Sequence, residues 1–168
     1  MHEELISLAR CLGQNMLKAG HTLALAESCT GGWIAQSVTE IAGSSAWFDR
    51  GFVTYSNAAK VAMLGVSEST LHIHGAVSAE TAREMAAGAL FNSHADVALA
   101  VTGIAGPGGG TAEKPVGLVF IAWQFRGQLC HCLEHHFVGD RHSIRLQTVQ
   151  KALRYLLGEY ERADAKGV

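Results

Sequence analysis

The run DVALAV, Asp96 to Val101, has no polar alternation and empties directly into TGIAGPGGG, Thr102 to Gly110. An uninterrupted apolar strand has to be covered on both faces, which predicts a sheet between helical layers. The flanking sequence supplies those layers. Leu5, Leu8, Leu12 and Met16 recur at helical spacing between Glu3 and Ala19, and Gly20 stands where that helix would stop. Thr22 to Ala26 reads as a strand, ESCTGG as a tight turn, and Trp33 to Ile41 as a helix. A second strand is expected over Phe48 to Tyr55, followed by a short helix from Ala58 to Leu64. Ser78 can cap a helix over Ala79 to Asn92. Val116 to Phe125 and Gln128 to Phe137 form a hairpin turning at Arg126 and Gly127, and Asp140 to Leu157 is the last helix.

These elements read as one domain over residues 1–168, of the α/β class with a mixed sheet. Lysine and arginine total 13 against 15 acidic residues, without a basic block, so nucleic acid is not expected as a partner. No apolar run approaches the roughly 20 residues of a membrane span. The opening MHEELISLAR is acidic where a signal peptide would be basic, which points to the cytoplasm. Cys11, Cys29, Cys130 and Cys132 are dispersed in a chain large enough to fold without disulfides.

Three segments could carry chemistry. In ESCTGG, Glu27 to Gly32, a hydroxyl leaves a strand just before a helix whose first N–H groups lack partners within the helix. A serine there can attack a carbonyl while N–H groups near Gly31 and Gly32 hold the oxyanion. Helix capping by Ser28 or Thr30 would also explain either residue. Cys29 is a rival nucleophile, but adjacent residues of an extended segment face opposite ways, and a small buried thiol is the plainer reading.

In GFVTYSNAAK, Gly51 to Lys60, an apolar strand delivers Tyr55, Ser56, Asn57 and then Lys60. A lysine that loses solvation there can become a neutral base for a serine hydroxyl. Ser56 and Lys60 share a helical face at i and i+4, so Ser56 is a second candidate nucleophile. The spacing from Tyr55 to Lys60 does not match a short-chain dehydrogenase. The third segment, TGIAGPGGG, brings Gly106, Gly108, Gly109 and Gly110 to where backbone N–H groups can approach an anion, although no Gly-Lys-Ser/Thr follows. Arg141, in the first turn of the last helix, opposes the helix dipole, a cost that phosphate binding would explain. The tract CHCLEHH lacks the pair spacing of structural zinc sites, so no metal is expected.

In this order, ESCTGG, GFVTYSNAAK, the Gly-Ala-Val-Ser of residues 75 to 78, TGIAGPGGG with KPVG, and GDRHSIR resemble the CinA C-terminal domain family over nearly the whole chain. WFDRGFVTYSN and EKPVG bring the likeness nearest to its stand-alone bacterial members, which act as nicotinamide-nucleotide amidases. The resemblance implies a three-layer α/β/α domain with a mixed, mostly parallel sheet, usually a homodimer. It also implies hydrolysis of nicotinamide mononucleotide to nicotinate mononucleotide and ammonia in pyridine-nucleotide recycling, without metal or cofactor.

By the same resemblance, Ser28 and Lys60 form a Ser-Lys pair, Tyr55 and Thr102 support it, and Arg141 lies near the nucleotide. The substrate-binding residues expected around them are Thr30, Gly31, Gly32, Asn57, Gly103, Gly106, Gly108 and Gly109. Two other functions use the same features: a non-catalytic nucleotide-binding regulator, and a Ser-Lys hydrolase of another amide.

Overall fold

A computed structural model describes residues 2–167. Its elements run α1 (His2–Ala19), β1 (Leu23–Glu27), α2 (Trp33–Thr39), a 3-10 turn (Ser44–Ala46), β2 (Phe48–Val53), α3 (Asn57–Leu64), α4 (Glu68–His74), α5 (Ala79–Phe91), β3 (Val97–Gly103), β4 (Leu118–Phe125), β5 (His131–His136) and α6 (Arg141–Ala165). The sheet order is β2-β1-β3-β4-β5. β1 pairs in parallel with β2 and β3, whereas β4 is antiparallel to both β3 and β5, so every strand except β4 points the same way. The expected mixed, mostly parallel sheet is therefore present.

The two faces of this sheet differ in side-chain size. On β1, Leu23 and Leu25 join the core formed with α1, α2 and α6, whereas Ala24 and Ala26 face the layer containing α5. On β3, Val97, Leu99 and Val101 repeat the large side and Ala98 and Ala100 the small one. An apolar run with no polar alternation thus conceals a period-two alternation of size. Large residues fill the space under α1 and α6, and alanines let α5 lie close to the sheet. Leu99 is fully buried, and truncating it to alanine would cost about 2–5 kcal/mol. Tight approach continues on the helical layer itself, where a Cβ added at Gly88 of α5 would come within 2.0 Å of the Leu64 carbonyl oxygen at the end of α3.

Local signals act as expected at several ends. Ser78 Oγ accepts from Thr81 N at 3.2 Å and caps α5, an interaction worth about 1 kcal/mol. Asp140 caps α6 through Ser143 N at 2.8 Å. Several elements differ from the sequence reading, with β2 ending at Val53 instead of Tyr55 and β5 spanning His131–His136 instead of Gln128 to Phe137. α4 was not anticipated, because it buries none of its own residues and so shows no apolar stripe. α6 continues past Leu157 to Ala165, carried by good helix formers after the apolar stripe has thinned to Tyr160. α2 ends at Thr39 instead of Ile41. Among the described residues no helix is long and apolar enough to cross a membrane.

Candidate active site

Parallel strands β1 and β3 end side by side, and the segments leaving them open a cleft at their carboxyl ends, as such sheets usually do. The cleft has a volume of about 260 Å³ and is lined by Ser28, Cys29, Tyr55, Lys60, Ala76, Val77, Thr102, Gly103, Ile104, Ala105, Gly106, Gly108, Gly109 and Arg141.

Ser28 follows β1 directly, its N–H donating to Val101 O of β3 at 3.1 Å. Lys60 sits in the first turn of α3 and is only 1% exposed. Its Nζ lies 2.9 Å from Ser28 Oγ and donates to Thr54 O at 2.7 Å. Among the described residues no carboxylate forms an ion pair with it. Burial without a counter-ion holds the Lys60 ammonium below its ordinary pKa, with a smaller opposing influence from Cys29. A neutral amine beside a hydroxyl is the arrangement that general-base activation of serine requires.

Among the described residues neither rival nucleophile hydrogen-bonds to this amine, which meets only Ser28 Oγ and Thr54 O. Ser56 Oγ accepts from Ala59 N at 3.0 Å and caps α3. Ser56 and Lys60 are spaced i and i+4, but the lysine side chain turns to Thr54 O, just past β2, and to Ser28, just past β1. Cys29 is buried, and burial pushes its thiol up to about 12, the hydrogen bond from its own backbone N–H opposing that only in part. A thiolate is thereby disfavoured at neutral pH.

The turn is held by two charged residues whose part in it the sequence does not reveal. Glu27 is 1% exposed and its carboxylate accepts from Thr30 Oγ1 at 2.6 Å, Ile34 N at 2.8 Å and Ala35 N at 3.0 Å. It satisfies the opening of α2, the role that Ser28 or Thr30 could have filled, and leaves the Ser28 hydroxyl to face Lys60. Arg145 of α6 donates from Nε to Cys29 O at 3.0 Å and from Nη2 to Thr30 O at 2.9 Å. An acidic residue immediately before the turn and an arginine one helical turn past Arg141 were the available signals.

The remaining expected residues divide. Arg141 borders the cleft, donating from Nη1 to Gly106 O and from Nη2 to Tyr55 Oη, both at 2.8 Å. Thr102 Oγ1 donates to Ala76 O at 2.8 Å and anchors the wall made by residues 75–78. Neither Tyr55 nor Thr102 hydrogen-bonds to Ser28 or Lys60; both shape the cleft around the pair. Gly103, Gly106, Gly108 and Gly109 line it. Gly106 has φ +79°, and a Cβ there would lie 2.5 Å from Val116 Cγ1, so only glycine fits comfortably.

Thr30, Gly31 and Gly32 surround a separate depression with Trp33, Gln36, His142 and Arg145, and the Thr30 N–H meets the cleft only through the peptide it shares with Cys29, which lines it. The Gly31 N–H is already engaged, donating to Ser28 O at 3.1 Å. Asn57 likewise faces another depression, between α3 and α4. In the histidine-rich tract, Cys130 and Cys132 pack towards the layer of α5 while His135 stacks on Tyr155 of α6, with ring centroids 5.5 Å apart. Among the described residues no three metal-ligating side chains converge.

The chain as a whole is similar to known proteins. Residues 5–160 match the CinA C-terminal domain. The chain is 50% identical over 157 residues to the nicotinamide-nucleotide amidohydrolase PncC of Escherichia coli strain K12, covering 94% of this chain and 95% of that protein. It is 52% identical over 149 residues to the protein of the same name from Enterobacter agglomerans, covering 89% and 91%. Among solved structures it superposes on the competence/damage inducible protein CihA from Agrobacterium tumefaciens with a TM-score of 0.90 and 52% identity, over 92% of this chain and 94% of that one. The chain belongs to the CinA C-terminal domain family.

Proposed function

We propose that this chain hydrolyses the carboxamide of nicotinamide mononucleotide to nicotinate mononucleotide and ammonia, with Ser28 as nucleophile and Lys60 as its base. The observation that carries the chemistry is the buried Lys60 Nζ, without a counter-ion, 2.9 Å from Ser28 Oγ. The substrate is argued from relatives that bear the name nicotinamide-nucleotide amidohydrolase at 50–52% identity over nearly their whole length.

Neutral Lys60 takes the Ser28 proton as Oγ bonds to the amide carbon, and charge moves to the carbonyl oxygen, where backbone N–H groups after Ser28 hold it. The C–N bond then breaks, and nitrogen leaves as ammonia with the proton returned by Lys60. Water, deprotonated by the same amine, adds to the acyl-enzyme and releases the carboxylate and Ser28. The phosphate lies against the glycine loop and Arg141, so that binding energy far from the carboxamide positions it for attack. The same reading expects a homodimer acting in the cytoplasm on free nucleotide, in pyridine-nucleotide recycling.

The test is ammonia release from nicotinamide mononucleotide by the purified protein and by Ser28→Ala, with nicotinamide and its riboside for comparison. Wild type should act on the mononucleotide and poorly on the two compounds lacking phosphate. Ser28→Ala should lose at least about 10⁴-fold in kcat while melting like wild type. Full turnover by that variant would remove Ser28 from its role. Equal turnover of all three compounds would remove the phosphate site.

A further inference from the structure

Arg145 stands one helical turn past Arg141, yet its guanidinium meets the back of the nucleophile turn instead of the cleft. Its two hydrogen bonds, to Cys29 O and Thr30 O, fall on consecutive peptides just after Ser28. The guanidinium also lies over Trp33, with Cζ 5.3 Å from the ring centroid, so an aromatic face backs the grip. A planar fork can meet two carbonyls at once, which a lysine ammonium at the same place cannot do with the same geometry.

A trans peptide directs its C=O and N–H to opposite sides. With Cys29 O drawn towards α6, the Thr30 N–H on the same plane points away from α6. With Thr30 O drawn the same way, the Gly31 N–H must do likewise, and it donates to Ser28 O at 3.1 Å. Among the described residues the Thr30 N–H has no protein acceptor. Glu27 also fixes the Thr30 hydroxyl and the first N–H groups of α2, so two charged side chains hold the turn.

We propose that Arg145 is a positioning residue for the reaction: by gripping Cys29 O and Thr30 O it orients the peptides after Ser28 so that the Thr30 N–H serves as a donor to the oxyanion. This inference rests on the amide hydrolysis at Ser28 proposed above. It gives Arg145 a role in the chemical step and none in holding substrate.

The experiment is steady-state kinetics on nicotinamide mononucleotide for wild type, Arg145→Ala and Arg145→Lys, each checked by thermal melting, with millimolar guanidinium chloride or matched sodium chloride added. Removing an oxyanion donor outright costs about 10²–10³-fold in kcat, and Arg145 acts one peptide away, so a loss of about 10–100-fold is expected in Arg145→Ala. KM should stay within about threefold, since no substrate contact is lost. Guanidinium, but not sodium chloride, should restore part of kcat. Arg145→Lys, keeping the charge without the fork, should remain well below wild type, and it carries the test if Arg145→Ala does not fold.

An unchanged kcat, a loss confined to KM, full activity in Arg145→Lys, or a folded Arg145→Ala that guanidinium does not rescue would each overturn the proposal. A wild type without amidase activity overturns the parent function as well, whereas an active wild type with indifferent Arg145 variants overturns this inference alone.

Discussion

The nucleophile turn and the glycine loop face each other across one cleft and are built on opposite plans. In the turn the carbonyls of Ser28, Cys29, Thr30 and Gly32 all accept hydrogen bonds from the protein, from Gly31 N, Arg145, Trp33 N and Gln36 N. Its Ser28 side chain is left in a single relation to Lys60. In the loop Arg141 holds Gly106 O, but among the described residues the N–H groups of Gly106, Gly108 and Gly109 donate to no protein acceptor. The turn spends its polar groups on its own geometry, and the loop keeps donors for something else. Fixed geometry suits a reacting atom, while unpaired N–H groups suit an anion.

Breaking the turn's chemistry should give the largest effect. Lys60→Met is expected to lower kcat on nicotinamide mononucleotide by at least about 10³-fold, close to the loss in Ser28→Ala, because the two act as a unit. Combining both changes should then add little. A double variant much slower than either single one would mean that they act independently.

Weakening the loop should separate binding from chemistry. Arg141→Ala frees Gly106 O and Tyr55 and removes a cation from the cleft, so KM for the mononucleotide should rise by about 10–100-fold with kcat much less affected. For the phosphate-free riboside the same change should alter little. If both compounds suffered equally, Arg141 would be supporting the cleft wall and not the phosphate.

The smallest effect concerns stability. Lys60 has a folded-state pKa below its unfolded value, so between those two values the unfolded chain binds more protons and stability rises with pH. Denaturant melts of wild type and Lys60→Met at rising pH, up to the ordinary lysine pKa of about 10.4, should show their difference moving towards wild type, by no more than about 1.4 kcal/mol per pH unit. A difference independent of pH across the window between the two pKa values would mean that the amine keeps its proton in the folded protein.

Much of this fold could be read from the chain because its signals are periodic. Leu5, Leu8, Leu12 and Met16 mark the buried stripe of α1, and the unbroken apolar run of β3 announces a two-sided strand. α4 escaped that reading because a helix that buries nothing has no stripe to find. At the site, residue types and order pointed to Ser28, Lys60, Arg141, Gly106, Gly108 and Gly109, all of which line one cleft. Three-dimensional direction was not legible. Neighbours in sequence placed Thr30, Gly31, Gly32 and Asn57 with the site, but a turn reverses its faces within a few residues and gives them to other depressions. The roles of Glu27 and Arg145 were hidden for the same reason: Arg145 could equally have been the phosphate contact in place of Arg141, and each acts on backbone groups that only the folded turn presents.

The thiol next to the nucleophile has a practical consequence. Buried, and with its proton held to about pH 12, Cys29 should resist alkylating reagents in the native protein. A covalent probe for this cleft would therefore carry a warhead for an activated hydroxyl, such as a boronic acid or a strained lactone. Labelling would report on Ser28 without a background from the cysteine beside it.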